Sequence, residues 1–312
     1  MNAPTRAWPE LSYPDLAPMV SYLNRLVQVA GKYTIDEPFE VGWGNIVLDV
    51  TPRGLRTPVL RQPEVTFTVH YRLLDGDVLI EADTGTRTLP LATGTASAFY
   101  EAFCAAAGEL GIRPPGSAVV CEIPDAPEKI HEDRVERVWD PDQARRIHTA
   151  FDLVAGGLEE WQAPFLGHDP RVGVMWGEFD LSATRHLPRP APPPRSGPNF
   201  LRNAQRRHYL AVGFSFGSAD APEAGLYAYI WPQPDGLEGR SWGVPGAAWN
   251  PEAGLVLLPW SELLKTPDPH RAIVAFGDAV QDAAVATAGW PADLVGPRCD
   301  GWHMSRTPPA AA

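Results

Sequence analysis

The chain has 312 residues, 44% hydrophobic and 21% charged, a globular balance with room for two halves of ~150 residues sharing one core. Its formal net charge is −12 and no Lys/Arg cluster exceeds Arg206-Arg207, so the acidic surface excludes nucleic acid as the expected partner. No apolar run is long enough to cross a membrane, the first residues lack the apolar core of a signal peptide, and Cys104, Cys121 and Cys299 form no metal-like or disulfide-framework spacing; the expectation is a soluble cytoplasmic protein with no membrane partner.

Residues 14–31 predict a helix, because Leu16, Met19, Val20, Leu23, Leu26, Val27 and Ala30 recur at helical spacing; Gly31 reads as its stop. Strand-like runs follow at 39–51, 65–74 and 77–83, the last two joined by the hairpin dipeptide Asp75-Gly76, with a further strand at 86–91. Residues 95–111 predict a helix presenting Phe99, Phe103, Ala106, Ala107 and Leu110 on one face. Beyond it, prolines and mixed charges such as Glu132-Asp133-Arg134 mark a connection.

The second half repeats this order. Asp140-Pro141 opens a helix running to about Trp161, and strand-like runs follow at 171–184, 208–217, 225–232 and 254–258. Residues 269–289 predict the closing helix, with Ile273, Phe276, Val280, Ala284 and Val285 inward. Residues 188–207 hold Pro188, Pro190, Pro192, Pro193, Pro194 and Pro198, a stiff excursion without counterpart in the first half, read as a surface loop or a wall over a site. Residues 304–312 read as a disordered tail.

An internal match accompanies this repetition. Trp43-Gly44-Asn45 through Thr51-Pro52-Arg53-Gly54-Leu55 recurs as Trp176-Gly177-Glu178 through Thr184-Arg185-His186-Leu187 once a single proline is treated as inserted. The predicted fold class is therefore α+β: two tandem related α-β-β-β(-β)-α units with antiparallel sheets and flanking helices, related by a pseudo-twofold. We place the first unit at 1–121, a connecting segment at 122–139 and the second unit at 140–303.

Several runs taken together carry a family resemblance. They are Trp8-Pro9-Glu10-Leu11, Thr51 to Thr57, Glu132-Asp133-Arg134 with Trp139-Asp140-Pro141, Trp176 to Leu181, Gly197-Pro198-Asn199, Tyr227-Ala228-Tyr229 and Leu257-Leu258-Pro259. Over nearly its whole length the chain resembles the uncharacterised bacterial family designated domain of unknown function 5996. The resemblance implies no assigned activity, cofactor or ligand. The chain departs from that family's pattern at Gly42, Gly44 and Glu136 and in the run Gly213-Phe214-Ser215-Phe216-Gly217.

Candidate site residues follow from the repeat. Arg53 and Arg185 occupy matched positions and would form a guanidinium clamp for carboxylate or phosphate; each would otherwise pair with a local acid such as Asp49. Asn45 and Glu178 lie two residues after Trp43 and Trp176, which suggests an aromatic-walled pocket with a polar floor, and Asn199 joins this ligand set. Asp180 sits among apolar strand neighbours and needs a partner if buried; Arg185 or His208 would supply one, and His208 oriented by Asp180 would be a general base. His168, His186 and His208 are a weaker metal-ligand alternative without HxH or HExxH spacing. Gly213 to Gly217 spells a nucleophile elbow literally but lies within a strand run, and no phosphate-binding loop or GxGxxG occurs. The leading expectation is binding of a polar or anionic small molecule between the two repeats, with enzymatic activity open and no cofactor assigned. Its alternatives are a scaffold with a Trp/Pro-rich surface around Trp242, Trp249 and Trp260, and a His/Asp metal-dependent enzyme.

Overall fold

Two helices begin where an aspartate precedes a proline. The Asp140 side chain accepts the backbone N–H groups of Asp142 and Gln143, and Asp268 accepts that of Arg271, so each caps donors the helix cannot satisfy itself. Proline at the first helical position costs nothing, because its missing N–H would have been unpaired anyway. The computed structural model describes residues 6–192, 194 and 199–296; the predicted tail lies outside them.

In the first half, α1 (Tyr13–Gly31) leads through a 3-10 turn to β1 (Val47–Thr51), β2 (Gly54–Arg56), β3 (Leu60–Gln62), β4 (Val65–Arg72), β5 (Asp77–Ala82), β6 (Gly85–Pro90) and α2 (Ala96–Gly108). The second half runs α3 (Pro141–Gln162), β7 (Gly173–Met175), β8 (Asp180–Pro190), α4 (Asn199–Ala204), β9 (Arg207–Ser215), β10 (Gly225–Trp231), β11 (Ala248–Asn250), β12 (Leu255–Pro259), α5 (Trp260–Leu263) and α6 (Pro269–Ala288). Helices and an antiparallel sheet make the fold α+β.

The strands form one sheet in the order β11-β12-β10-β9-β8-β7-β1-β2-β4-β5-β6, with β3 also on β4. The halves meet where β1 pairs with β7 through Val47↔Met175 and Leu48↔Val174. Register aligns Leu48, Val174, Leu181, Phe214, Leu226 and Leu258 in one row across six strands. All six are buried, each contributing roughly 1.5–3 kcal/mol on transfer from water. This face carries the helices: the Tyr71 hydroxyl donates to Leu26 O of α1, and Arg185 reaches Trp161 of α3 and Gln281 of α6. On the opposite face β4 turns out Thr66, Thr68, His70 and Arg72, whereas β10 turns out half-buried Tyr227, Tyr229 and Trp231.

Several elements differ from expectation. Of the predicted strand at 39–51 only β1 is extended; Trp43 has φ 61° and Gly44–Ile46 is a 3-10 turn. The predicted strand at 171–184 is two strands split by a turn at Trp176–Phe179, where Phe179 has φ 60°. The excursion at 188–207 is partly strand, since β8 continues through Pro188 and Pro190 with Pro190 opposite Arg207 beyond a register shift. Gly31 is the last residue of α1, as expected, but the chain runs straight on into a 3-10 turn. The missing side chain of Gly31 admits the Trp176 indole: a Cβ there would lie 2.6 Å from Trp176 Cγ.

Candidate functional site

From Asp49 onward β1 has no strand partner on the β7 side, because β7 reaches only Val47 and Leu48. A cleft of ≈ 680 Å³ fills this gap, lined among others by Asp49, Arg56, His70, Glu159, Gln162 and Arg171. Arg56 lies opposite Asp49 in the β1–β2 register and His70 opposite Arg56 in β2–β4, which places all three side chains on one face. Arg56 Nη2 donates to Asp49 Oδ2 at 2.7 Å, and Arg171 Nε pairs with Oδ1 at 2.9 Å. Arg171 also donates to Val47 O at 3.1 Å, which ties the loop before β7 to the first half. Gln162 Nε2 donates to Pro170 O and Thr184 O, holding that loop from the end of α3.

Two guanidiniums converge on Asp49, and Glu159 is the second carboxyl in the cleft lining. A guanidinium carries five donors, so donors remain for an incoming anion. Burial lowers the His70 pKa, opposed by Glu81 and reinforced by Arg56, so its imidazole stays neutral at pH 7 and adds no charge. Burial also raises Glu159, with Asp152 acting in the same direction.

A second titratable group lies further along the same face. The Tyr227 hydroxyl donates to Asp180 Oδ2. It reaches that carboxylate, two strands away, because Gly213 between them has no side chain: a Cβ there would lie 2.7 Å from Leu181 O and run into the Tyr227 ring. Tyr227 stacks on Tyr229 with centroids 6.4 Å apart, Tyr209 Oη donates to Tyr229 Oη at 3.2 Å, and Tyr209 stacks on His186 at 5.2 Å. Burial pushes Asp180 up to about 7, with Glu178 adding to the rise and the Tyr227 hydrogen bond opposing it. Burial, then His168 and Arg207, push His186 down to about 3, which keeps its imidazole neutral. The Trp43 indole N–H donates to Phe200 O and that of Trp231 to Gln205 O, so the excursion bearing α4 is pinned beside this row.

The pairing deduced from the repeat does not form. Arg53 lies in the β1–β2 turn and pairs with exposed Asp75, whereas Arg185 is fully buried over the Trp161 ring at 4.0 Å and bonded to Gln281. The two arginines therefore sit in different surroundings, one solvated and one buried, and make no clamp. The matched segments sit in different places: Trp43 precedes the first strand of its half, and Trp176 follows the first strand of its own. Trp43 packs edge-on against Phe39, and Trp176 is buried, donating to Thr34 Oγ1 at 3.1 Å. Asn45 donates to Thr34 O, so Asn45 and Trp176 converge on the 3-10 turn and neither lines the cleft. Glu178 is exposed near Asp180; the Asn199 side chain lies outside the description.

His208 is not a base for Asp180. Antiparallel register sets Leu181 opposite Phe214, so Asp180 is level with Ser215, seven positions from His208 along β9. That is about 23 Å at about 3.3 Å per residue, and the odd spacing puts His208 on the other face. His168 and His186 bridge, with rings 5.7 Å apart, whereas His208, one residue before the Tyr209 that pairs with His186, turns to the other face. Among the described residues no group of three His, Cys, Asp or Glu is placed to hold a metal ion. Among the described residues the tryptophans of the scaffold reading present no fully exposed ring: Trp242 and Trp260 are 2% exposed, Trp260 packs on Trp8, and Trp249 is half-buried. Arg56, His70 and Arg171 were not singled out in the sequence, though Asp49 and Arg56 on either side of Pro52-Arg53-Gly54 were a legible signal.

These features define a class: an α+β protein whose halves share one antiparallel sheet, with a polar cleft at their junction. The chain belongs to the family described as "Family of unknown function (DUF5996)", whose profile matches residues 8–296. No curated protein and no solved structure matches it. No helix among the described residues is long and apolar enough to cross a membrane.

Proposed function

We propose that this is a cytoplasmic small-molecule-binding protein that holds an anionic group, a carboxylate or phosphate, in the cleft at the β1–β7 junction. Arg56 of the first half and Arg171 of the second are its clamp, and Asp49 holds the two guanidiniums in place. The observation that carries this reading is the convergence of both arginines on Asp49 in a gap of ligand size.

A ligand between two tandem related units is supported by the strand order. Outward from the β1–β7 pair, β1-β2-β4-β5-β6 matches β7-β8-β9-β10-β12, and each set is preceded and followed by a helix. A pseudo-twofold through that pair relates the sets and puts the cleft beside it. On this correspondence the Trp43 and Trp176 segments are one strand out of step, which explains why Arg53 and Arg185 do not meet.

Thermal shift against a library of carboxylates and phosphates tests the reading. A ligand at a hundredfold over its Kd stabilises by about 2.7 kcal/mol. Arg171→Ala and Arg56→Ala should each weaken binding roughly tenfold to a hundredfold, since a charge-assisted hydrogen bond contributes about 1.5–3 kcal/mol. A library without a hit, or a hit bound equally well by both variants, refutes the proposal.

A further inference from the structure

Residues 118–130 close on themselves: Val120 N–H donates to Glu128 O at 2.8 Å and Ile130 N–H to Ala118 O at 2.9 Å. The loop is clasped from α1. Gln28 Oε1 accepts the Cys121 N–H, Gln28 Nε2 donates to Cys121 O and to Gly177 O, and Arg25 pairs with Asp125 at 3.0 Å. Gln28 thereby joins the loop to the turn between β7 and β8. On that turn the Glu122 carboxyl rests against Gly177, in space a Cβ would need. Glu122 itself has φ 58°, so the docked loop holds a non-glycine residue in a strained left-handed conformation.

The contact gathers carboxyl groups. Glu122 comes from the loop, Glu178 from the turn and Asp180 from the start of β8, with the Tyr227 hydroxyl bonded to Asp180. Among the described residues the one cation facing Glu122 is Lys32, beyond the end of α1; it lies 4.6 Å from the Trp176 ring centroid and 2.9 Å from Cys121 Sγ. Asp125, the other acid of the loop tip, is occupied by Arg25. Three carboxylates against one ammonium repel when all are ionised, and one proton among them relieves the repulsion.

We propose that loop 118–130 is a pH-sensitive strap, docked on the β7–β8 turn while Glu122 is protonated and loosened once Glu122, Glu178 and Asp180 are all ionised. Although the residue as a whole is exposed, burial of the Glu122 carboxyl against the turn, and then the neighbouring Glu178, push it up to about 7, with Lys32 opposing. A carboxyl raised in the docked state favours docking below its free value of about 4.3, and that advantage disappears as pH climbs to about 7. The strap therefore tightens in mild acid and slackens by neutrality. Slackening uncovers the turn that carries Trp176 and leads into Asp180.

Hydrogen exchange read by mass spectrometry on the full chain at pH 5, 6, 7 and 8, corrected for the intrinsic rate, tests this. The thermodynamic limit is tenfold per pH unit, and solvent screening of an exposed group reduces it. Protection of peptide 118–130 should fall about tenfold in all between pH 5 and 7 and level off above, while α6 stays unchanged. Glu122→Gln, which copies the protonated form, should keep the strap protected at every pH. If Glu122→Gln fails to fold, Glu178→Gln serves instead, and should shift the fall toward lower pH. Protection that is flat with pH in the wild type, or falls equally in the variants, overturns the strap.

Discussion

Asp180 gives the most direct test of the energetics on the helix-free face. Its side chain is 8% exposed and its carboxyl titrates at about 7, chiefly because burial disfavours the charge. The folded value is raised, so its contribution to stability is complete below the unfolded value of about 3.9 and is lost as pH rises to about 7. Between pH 5 and pH 8 most of that loss falls in the two units up to 7. At about 1.36 kcal/mol per unit this amounts to about 2.5 kcal/mol. Asn at this position keeps an oxygen for the Tyr227 hydroxyl and cannot ionise. Urea unfolding of wild type and Asp180→Asn at both pH values should therefore show the variant gaining about 2.5 kcal/mol relative to wild type on moving from pH 5 to pH 8. Part of this gain is shared with Glu178 and Glu122, which titrate with Asp180, so Asp180→Asn should also move their ionisation. An unchanged difference at the two pH values would refute the assignment of a costly buried charge.

Gly213→Ala should destabilise by roughly 3 kcal/mol in urea, since the added methyl overpacks against Leu181 O and displaces the Tyr227 ring from Asp180; a loss below about 0.5 kcal/mol would mean that Tyr227 has another route to the carboxylate. Gly31→Ala and Gly108→Ala offer a matched pair, because both glycines are helical. At Gly31 the methyl meets the Trp176 indole and stability should drop by about 2 kcal/mol despite a better helix former. At Gly108 nothing lies within 4 Å, and the same change should raise stability by roughly 0.5–1 kcal/mol in the same assay.

The helices were legible because their signals are local. Periodic apolar positions and the Asp-Pro starts of α3 and α6 act within a few residues, and the structure places those helices close to where they were predicted. The hairpin of β4 and β5 was legible for the same reason. Strands β2, β3 and β11 were not, since three residues cannot display a period of two. The internal match was a true likeness of sequence, yet inference from it to a shared site failed. Arg53 sits in a solvated turn and Arg185 in mid-strand under α3.

The chain by itself determined that helices would flank antiparallel strands and that apolar alternation would bury one side of β4 and β10. Register decided the rest. Whether Asp49 faces Arg56 and Arg171, whether Tyr227 crosses Gly213 to reach Asp180, and how far His208 lies from that carboxylate all depend on pairings between residues remote in sequence. Such pairings are chosen by the summed burial of many side chains across the whole sheet, and no short segment carries that sum.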